Sequence, residues 1–382
     1  MELIFGIVLG LLILVFLVVV HELGHAIVAR RNGVVVEEFG VGFPPQAAAK
    51  KLKNGVLLTL NWLPLGGFVK LQGEHDAADK KGDYGAATFW QKTRILLAGV
   101  AINWLVAACL LSVLAWTGLP KIIPNQFSIA SDTTVVKKPV ELTTVAKDSP
   151  AAKAGLKTGD QIVRFAGEPV LTAEEFSAQT KEQKGEKVEI IYSRGGVEET
   201  TSTTLRADNA DKKGYLGVGS GQREEIKASW SAPIVGVVTT AQFTLVTLQG
   251  LGDLVVNLVS GIVMQFSPNE TARTEARQDL ATAGNSVAGP IGILGTIFPA
   301  AEQAGLTQLI FLTAIISLTL AVMNVLPIPA LDGGRWFVMA IYRLLKRPLT
   351  KEREEKIQGT GFLVLMALVV IVTVADVGKL FK

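Results

Sequence analysis

The residues best suited to chemistry are two histidines and a glutamate near the end of the first apolar stretch. His21 and His25 enclose Glu22 in the sequence HELGH, which has the pattern HExxH. Residues four apart share one face of a helix, so both imidazoles can bind one zinc ion while Glu22 accepts a proton from the attacking water. The pattern predicts a zinc site with hydrolytic chemistry; a histidine pair with a purely structural role is the alternative.

A zinc enzyme of this type needs a third protein ligand and a position left for water. The only other histidine, His75, lies in a polar segment, where we expect a surface residue. The single cysteine, Cys109, lies in an apolar stretch, so neither a disulfide within the chain nor a cysteine zinc site is expected. Asp332 is the best candidate because it follows an apolar helix broken by two prolines and precedes two glycines. An Asp-Gly-Gly turn that only ends this helix is the alternative.

The composition indicates a membrane protein with a soluble part. Of the 382 residues, 49% are hydrophobic and 19% are charged, and the mean hydropathy is +0.39. This charged fraction is below that of ordinary soluble domains. The net charge of +3 is small, and it gives no reason to expect a nucleic-acid partner.

Four apolar segments have the character of membrane helices, although the last is short. They are residues 3–20, 95–117, 306–326 and 361–374. A cleaved signal peptide is the alternative for the first segment. We expect an uncleaved span there, because Glu2 follows Met1 where a positive charge is usual and no small-residue cleavage site precedes HELGH.

The direction of these spans can be predicted from the site and from the basic residues. For Asp332 to meet His21 and His25, the first span and residues 306–326 must run in the same direction. The apolar segment 232–266 must then cross the membrane an even number of times, zero or two. Lysines and arginines are concentrated in residues 30–94 and 335–356, which predicts that both segments, and therefore the site, are near the cytoplasmic side.

Two further segments near the site are informative. Residues 56–61 and 68–72 are typical of strands joined by a turn at Pro64 and Gly66-Gly67, either as an exposed sheet or as a hairpin that dips toward the zinc. In the second span, Gly99 and Asn103 are four residues apart. This spacing is typical of a close helix contact, but an asparagine within the membrane also suggests a role at the site.

Together these features resemble the site-two protease family of intramembrane zinc metalloproteases, in its bacterial branch with an inserted PDZ domain. HELGH matches the family's HExxH, and NVLPIPALDGG at 324–334 resembles its Asn-Pro-Pro-Leu-Asp-Gly pattern. The segment GGFVKLQGE at 66–74 resembles its membrane re-entrant β-loop. SPAAKAGLKTGD and YLGV, in the polar stretch 121–223, resemble PDZ sequences, and only one such unit is found.

The resemblance implies a polytopic α-helical membrane protein with about four transmembrane helices, a re-entrant β-hairpin or sheet, and one inserted extracytoplasmic PDZ domain of α+β structure. It implies that His21, His25 and Asp332 bind Zn²⁺ and that Glu22 is the general base. It also suggests that residues 232–266 lie along the membrane surface. The expected location is the bacterial cytoplasmic membrane, with the lipid bilayer as surroundings and no nucleic acid as partner.

The resemblance also implies a class of substrate. It is a single-span membrane protein, such as an anti-sigma factor or a signal peptide remnant, which is cut within its transmembrane segment after another protease has trimmed its outer domain. The residues expected to contact this substrate are Asn324, Gly66, Gly67, Phe68, Val69 and Asn103. The alternative is a catalytically inactive membrane scaffold that recruits partners through the PDZ domain.

The expected organisation follows the same order as the chain. Its parts are a first transmembrane helix with HExxH (1–30), a cytoplasmic or re-entrant β region (31–93), a second transmembrane helix (94–119), a PDZ domain (120–226), a membrane-associated amphipathic region (227–300), a third transmembrane helix with LDGG (301–334), and a cytoplasmic loop with a fourth transmembrane helix (335–382).

Overall fold

The computed structural model describes residues 2–209, 213–286 and 288–380. The chain forms two compact units, of which the first combines Met1–Leu114 with Ala232–Lys382 and the second is Ala115–Ser231. The helices are α1 (Glu2–Arg31), α2 (Phe89–Thr117), α3 (Pro150–Lys153), α4 (Ala173–Glu182), α5 (Ala232–Gln265), α6 (Glu270–Ser286), α7 (Pro290–Gly292), α8 (Phe298–Gln303), α9 (Leu306–Val325), α10 (Asp332–Leu344) and α11 (Lys351–Leu380), with a π-helical segment at Ile293–Ile297 between α7 and α8. The strands are β1 (Val36–Lys51), β2 (Leu57–Leu71), β3 (Leu119–Pro120), β4 (Thr134–Val145), β5 (Gln161–Phe165), β6 (Glu168–Pro169), β7 (Lys187–Arg194), β8 (Val197–Thr204) and β9 (Val218–Lys227).

The first unit contains helices of membrane-spanning length. Among the described residues, five helices are long and apolar enough to cross a bilayer: α1, α2, α5, α9 and α11. Four of them correspond to the four segments that the sequence predicts as spans, and α9 ends at Val325, one residue before the predicted end. Large apolar side chains on α11 are exposed, for example Leu363 at 69% and Ile371 at 65%. Such a surface is stable where lipid covers it, so the unit is built as a multi-pass membrane protein.

The fifth long helix, α5, covers the segment whose crossings the sequence left open. It is one continuous helix of 34 residues, and a single helix cannot cross a bilayer twice. Its first part runs antiparallel to α2, because Gly236 packs against Ser112 and Trp104 Nε1 donates a hydrogen bond to Thr244 Oγ1 over 3.1 Å. The number of complete crossings made by α5 remains a prediction.

β1 and β2 form an antiparallel sheet beside α1, in which one segment of β1 lies between the two ends of β2. The segment Glu38–Val41 pairs with residues 67–70 of β2 on one side and with residues 57–60 on the other. Residues 57–61 pair in turn with residues 46–51 of β1. Both predicted strands therefore exist, but the prediction that they pair as a hairpin across Pro64 and Gly66-Gly67 is wrong. The physical reason is that β2 continues through this turn signal, so its two ends reach opposite edges of Glu38–Val41.

In its described residues, the second unit is a sheet with two short helices. Its strand order is β3-β9-β4-β5-β7-β8, with β6 paired to β5. The core contains Ile162, Phe165, Phe176 and Ile190, and the rings of Phe165 and Phe176 meet edge to face at 5.4 Å. The α+β composition agrees with what the sequence indicates for residues 121–223.

An ion pair holds the loop before β5. Asp160 is 1% exposed and accepts two hydrogen bonds from Arg194, to Oδ1 from Nε over 2.8 Å and to Oδ2 from Nη2 over 2.7 Å. Asp160 Oδ2 also accepts from the backbone N–H of Lys157 over 2.7 Å. The carboxylate thus closes its own loop and joins it to β7.

This ion pair gives a prediction for the second unit. Arg194→Ala leaves the buried Asp160 carboxylate without its partner, and we expect the free energy of unfolding of this unit to fall by about 3 kcal/mol, the lower end of the range for a buried pair because the Arg194 side chain is 32% exposed. The measurement is hydrogen exchange of the β5 and β7 amides in the full chain. Arg223→Ala is the matched control, because its partner Glu141 is more exposed, and a loss below about 1 kcal/mol is expected there. Equal losses in the two variants would contradict the account.

Candidate metal centre

Helix α1 places both histidines of the HExxH sequence on one side. His21 and His25 are 7% and 8% exposed, and their Nε2 atoms are 3.2 Å apart. Their rings meet edge to face with centroids 4.8 Å apart. One helical turn therefore brings two imidazole nitrogens to a common point, as the spacing of four residues requires.

Asp332 reaches the same point from the first turn of α10. Its Oδ2 atom lies 3.1 Å from His21 Nε2 and 3.2 Å from His25 Nε2. The two glycines that follow make this possible, because a side chain at Gly333 would overlap the backbone of Val325 and one at Gly334 would overlap the backbone of Ile328. The connection from α9 can therefore fold back tightly and direct Asp332 toward α1.

The three atoms fit a zinc ion. Their separations of 3.1, 3.2 and 3.2 Å form a nearly equilateral triangle. Three corners of a tetrahedron with metal–ligand bonds of roughly 2.0–2.1 Å are about 3.3 Å apart. His21, His25 and Asp332 form a group of metal-ligating side chains among the described residues. Two imidazoles and one carboxylate are also a donor set used by catalytic zinc sites, which keep one position for water or substrate.

Helix α2 packs directly behind the histidines. His25 Nδ1 lies 2.7 Å from the Ile95 carbonyl oxygen, and His21 Nδ1 lies 3.4 Å from Asn103 Nδ2. A side chain at Gly99 would overlap both imidazoles, and one at Gly24 would meet the backbone oxygen of Ala98 at 2.8 Å. The two glycines allow α1 and α2 to approach closely, so the helix contact expected at Gly99 is present.

Glu22 is half-buried and faces a cavity beside the histidines. The cavity has a volume of about 210 Å³, and its walls include Glu22, His25, Asp332, Tyr84 and Arg335. A second, more open cavity of about 760 Å³ includes Asp332 and Arg335 in its wall and extends to α11. These cavities give water and polar groups access to the cluster.

Arg335 forms a charged cluster beside the candidate ligands. Its Nη1 donates to Glu74 Oε1 over 2.9 Å and its Nε donates to Glu354 Oε1 over 3.2 Å, while the guanidinium also contacts the Glu74 carbonyl. The guanidinium carbon lies 4.7 Å from the centre of the Tyr84 ring.

The surroundings of Arg335 keep it charged. Burial lowers the pKa of Arg335, but its neighbours, which include the Glu74 and Glu354 carboxylates, raise this pKa by more than burial lowers it. Burial raises the pKa of Tyr84, so Tyr84 is neutral and Arg335 charged at neutral pH.

Sequence reasoning missed this cluster. Arg335 directly follows the glycines of the LDGG segment, which is a signal that could have drawn attention to it. Glu74, Tyr84 and Glu354 come from distant parts of the chain and have no comparable signal. His75 lies outside the candidate centre, as expected, with its Nε2 3.7 Å from Glu355 Oε1.

The predicted substrate contacts fall into three groups. In the first group, Gly67 lies next to Val18 and Glu22. Phe68 and Val69 line the 210 Å³ cavity. Gly66 has φ of +91° and packs on Phe43. Asn324 is half-buried and donates from Nδ2 to the Leu320 carbonyl of its own helix over 3.0 Å. Asn103 is completely buried. Gly67, Phe68 and Val69 therefore lie near the candidate ligands, whereas Asn103 contacts His21 instead of an open surface.

Two named relatives match nearly the whole chain. A zinc metalloprotease RasP of Geobacillus kaustophilus is 26% identical over 448 residues, which covers 96% of this chain and 96% of that protein. A protein of Clostridium perfringens, named as a candidate zinc metalloprotease, is 30% identical over 371 residues and covers 97% of this chain and 98% of its own length. The PDZ domain of an SdrC-like protein of Listeria monocytogenes matches 22% of this chain and 86% of its own, with 32% identity and a TM-score of 0.19.

A protein-family model matches most of the chain. The family described as Peptidase family M50 matches residues 9–368, which include HELGH, β1, β2, and the segment that ends in Asp332. The resemblance seen in the sequence is thus confirmed over most of the chain. The protein belongs to Peptidase family M50, the family of the site-two proteases.

Proposed function

We propose that this member of a peptidase family is an intramembrane endopeptidase that hydrolyses a peptide bond within the transmembrane segment of single-span membrane proteins. Zinc is the expected cofactor, since the relatives are named as zinc metalloproteases. The observation that carries the proposal is the convergence of His21, His25 and Asp332 to separations of 3.1–3.2 Å. This convergence occurs in the unit that contains the helices of membrane-spanning length.

The proposed roles follow from the geometry. His21 and His25 would supply imidazole nitrogens, and Asp332 would supply a carboxylate oxygen, to a bound zinc ion. When bound, zinc would supply Lewis acidity that polarises a peptide carbonyl and makes water more acidic. Glu22 lies beside these ligands and faces the 210 Å³ cavity, so its carboxylate can accept the proton of the attacking water and return it to the leaving amine.

Residues 67–70 of β2 are proposed to hold the substrate. A peptide bond in a helix is shielded by its own hydrogen bonds, so the substrate must be extended before it is cut. Among the described residues, this segment pairs only with Glu38–Val41, which leaves its other edge available for strand addition. Gly67 lies next to Glu22, so an added strand would pass close to the proposed base.

The proposed topology has four complete crossings, by α1, α2, α9 and α11, in the bacterial cytoplasmic membrane. The requirement that α1 and α9 run in the same direction is met when α5 makes no complete crossing, which is the arrangement proposed here. The basic residues at 30–94 and 335–356 support a site near the cytoplasmic side. Residues 120–226 are proposed as an extracytoplasmic PDZ domain. The convergence of the ligands gives no support to the alternative of an inactive scaffold.

The role of Glu22 gives a prediction. Glu22→Gln removes the base but leaves all three candidate ligands, so zinc content should remain near one per chain while cleavage of a single-span substrate falls by at least about 100-fold. The measurements are metal analysis and cleavage in detergent or liposomes. His25→Ala is the comparison variant and should lose both zinc and cleavage. Wild-type cleavage by Glu22→Gln would refute the assignment of the base.

The edge of β2 gives a second prediction. Val69→Pro removes a backbone donor and disturbs the edge that receives the substrate, so cleavage should fall at least about 10-fold while zinc content is kept. Ala49→Pro is the matched control, because residues 46–51 form the edge of the same sheet that lies opposite residues 67–70. The control should cleave normally. Strand addition at residues 67–70 is excluded if Val69→Pro also cleaves normally.

A further inference from the structure

One face of α2 contacts both histidines through their second ring nitrogen. The Ile95 carbonyl oxygen lies 2.7 Å from His25 Nδ1, and the Asn103 side chain lies 3.4 Å from His21 Nδ1. Ile95, Gly99 and Asn103 are spaced four residues apart and therefore share this face. The face thus provides one backbone group, one gap and one side chain behind the candidate metal centre.

The chemistry of a metal-binding imidazole requires a particular partner at this position. A neutral ring that binds metal through Nε2 carries its proton on Nδ1, and that N–H needs an acceptor. The Ile95 carbonyl is such an acceptor for His25. For His21, the amide atom opposite Nδ1 is Asn103 Nδ2, which is a donor.

The other end of the same amide has the opposite mismatch. Asn103 Oδ1 is completely buried and has no hydrogen-bond partner within residues 2–209, 213–286 and 288–380. The two ends of a side-chain amide are assigned from their hydrogen bonds, and a half-turn of the amide exchanges them. This half-turn directs the buried oxygen to His21 Nδ1–H, so that this acceptor and this donor are paired, and it moves the amide nitrogen to the former position of the oxygen.

We propose that Asn103 is a positioning residue whose side-chain oxygen accepts the Nδ1–H of His21 and so directs His21 Nε2 toward the metal. The inference rests on the proposed zinc site and assigns Asn103 to the metal centre instead of the substrate. Its complete burial leaves it no surface for a substrate.

A second contact holds Asn103 in place. Its backbone oxygen accepts a hydrogen bond from Ser317 Oγ over 2.9 Å, and Ser317 is itself completely buried on α9. Helix α9 leads through residues 326–331 to Asp332, the first residue of α10. The same turn of α2 is therefore joined to His21 through a side chain and to the helix before Asp332 through the backbone.

The test is zinc affinity, measured in the full chain by competition with a chelator of known affinity. Asn103→Leu has similar bulk but no acceptor, so zinc should bind roughly 10–100-fold more weakly. Asn103→Asp presents an acceptor whichever way it is turned and should bind zinc within about threefold of the wild type. Trp104→Phe is the control for helix packing, because it removes a hydrogen bond of α2 to Thr244 and not one to a histidine, and it should leave zinc affinity nearly unchanged. If Asn103→Leu does not fold, Asn103→Ser replaces it, because serine is too short to reach His21 and should also weaken zinc binding.

Several results would overturn the proposal. Wild-type zinc affinity in Asn103→Leu with a raised KM would assign Asn103 to the substrate. Equal weakening in Asn103→Leu and Asn103→Asp, together with lower thermal stability of the metal-free protein, would show a packing role alone. Failure of the proposed zinc site is distinguishable, since wild-type protein would then bind no zinc in the same titration.

Discussion

The first unit depends on one physical constraint: two imidazoles and a carboxylate must meet within about 3 Å inside an apolar bundle. Polar groups buried in this way cost free energy unless each has a partner. His21, His25 and Asp332 lie within hydrogen-bond distance of one another, with separations of 3.1–3.2 Å. The metal centre proposed above would satisfy all three groups at once.

Glycines make the convergence sterically possible. Gly99 leaves space for the imidazoles, Gly24 lets α1 approach α2, and Gly333 and Gly334 let the connection after α9 fold onto its own backbone. Beside the ligands, Arg335 joins Glu74 to Glu354 and so connects the loop after β2 to α11. The site is therefore determined by contacts between helices that are far apart in the chain, and Glu22 has an adjoining cavity for water.

Much of this arrangement could be predicted from the sequence, because periodicity and spacing are local properties. The pair His21 and His25 follows from helical geometry, and Asp332 follows from the need for a third ligand and from the glycines after it. The pairing of β2 could not be predicted, because its turn residues at 64–67 are compatible with a hairpin. Only the partner strand shows that residues 57–60 and 67–70 lie on opposite sides of Glu38–Val41.

The role suggested for Asn103 shows the same limit. Its spacing from Gly99 indicates a residue of interest, but the sequence does not say whether it faces a substrate or a ligand. Burial and the distance to His21 are needed for that distinction. The cluster of Tyr84, Glu74 and Glu354 around Arg335 is likewise a product of tertiary structure, since no pattern connects these positions along the chain.

The most direct test of the central claim is X-ray absorption at the zinc edge of the full chain, compared between wild type and Asp332→Ala. The account predicts one zinc per chain, bound by two imidazoles and light oxygen donors at roughly 2.0–2.1 Å. It also predicts that Asp332→Ala binds zinc more weakly and changes the coordination shell. Identical spectra and affinities for the two proteins, or zinc that remains bound after His21 and His25 are both replaced by alanine, would contradict it.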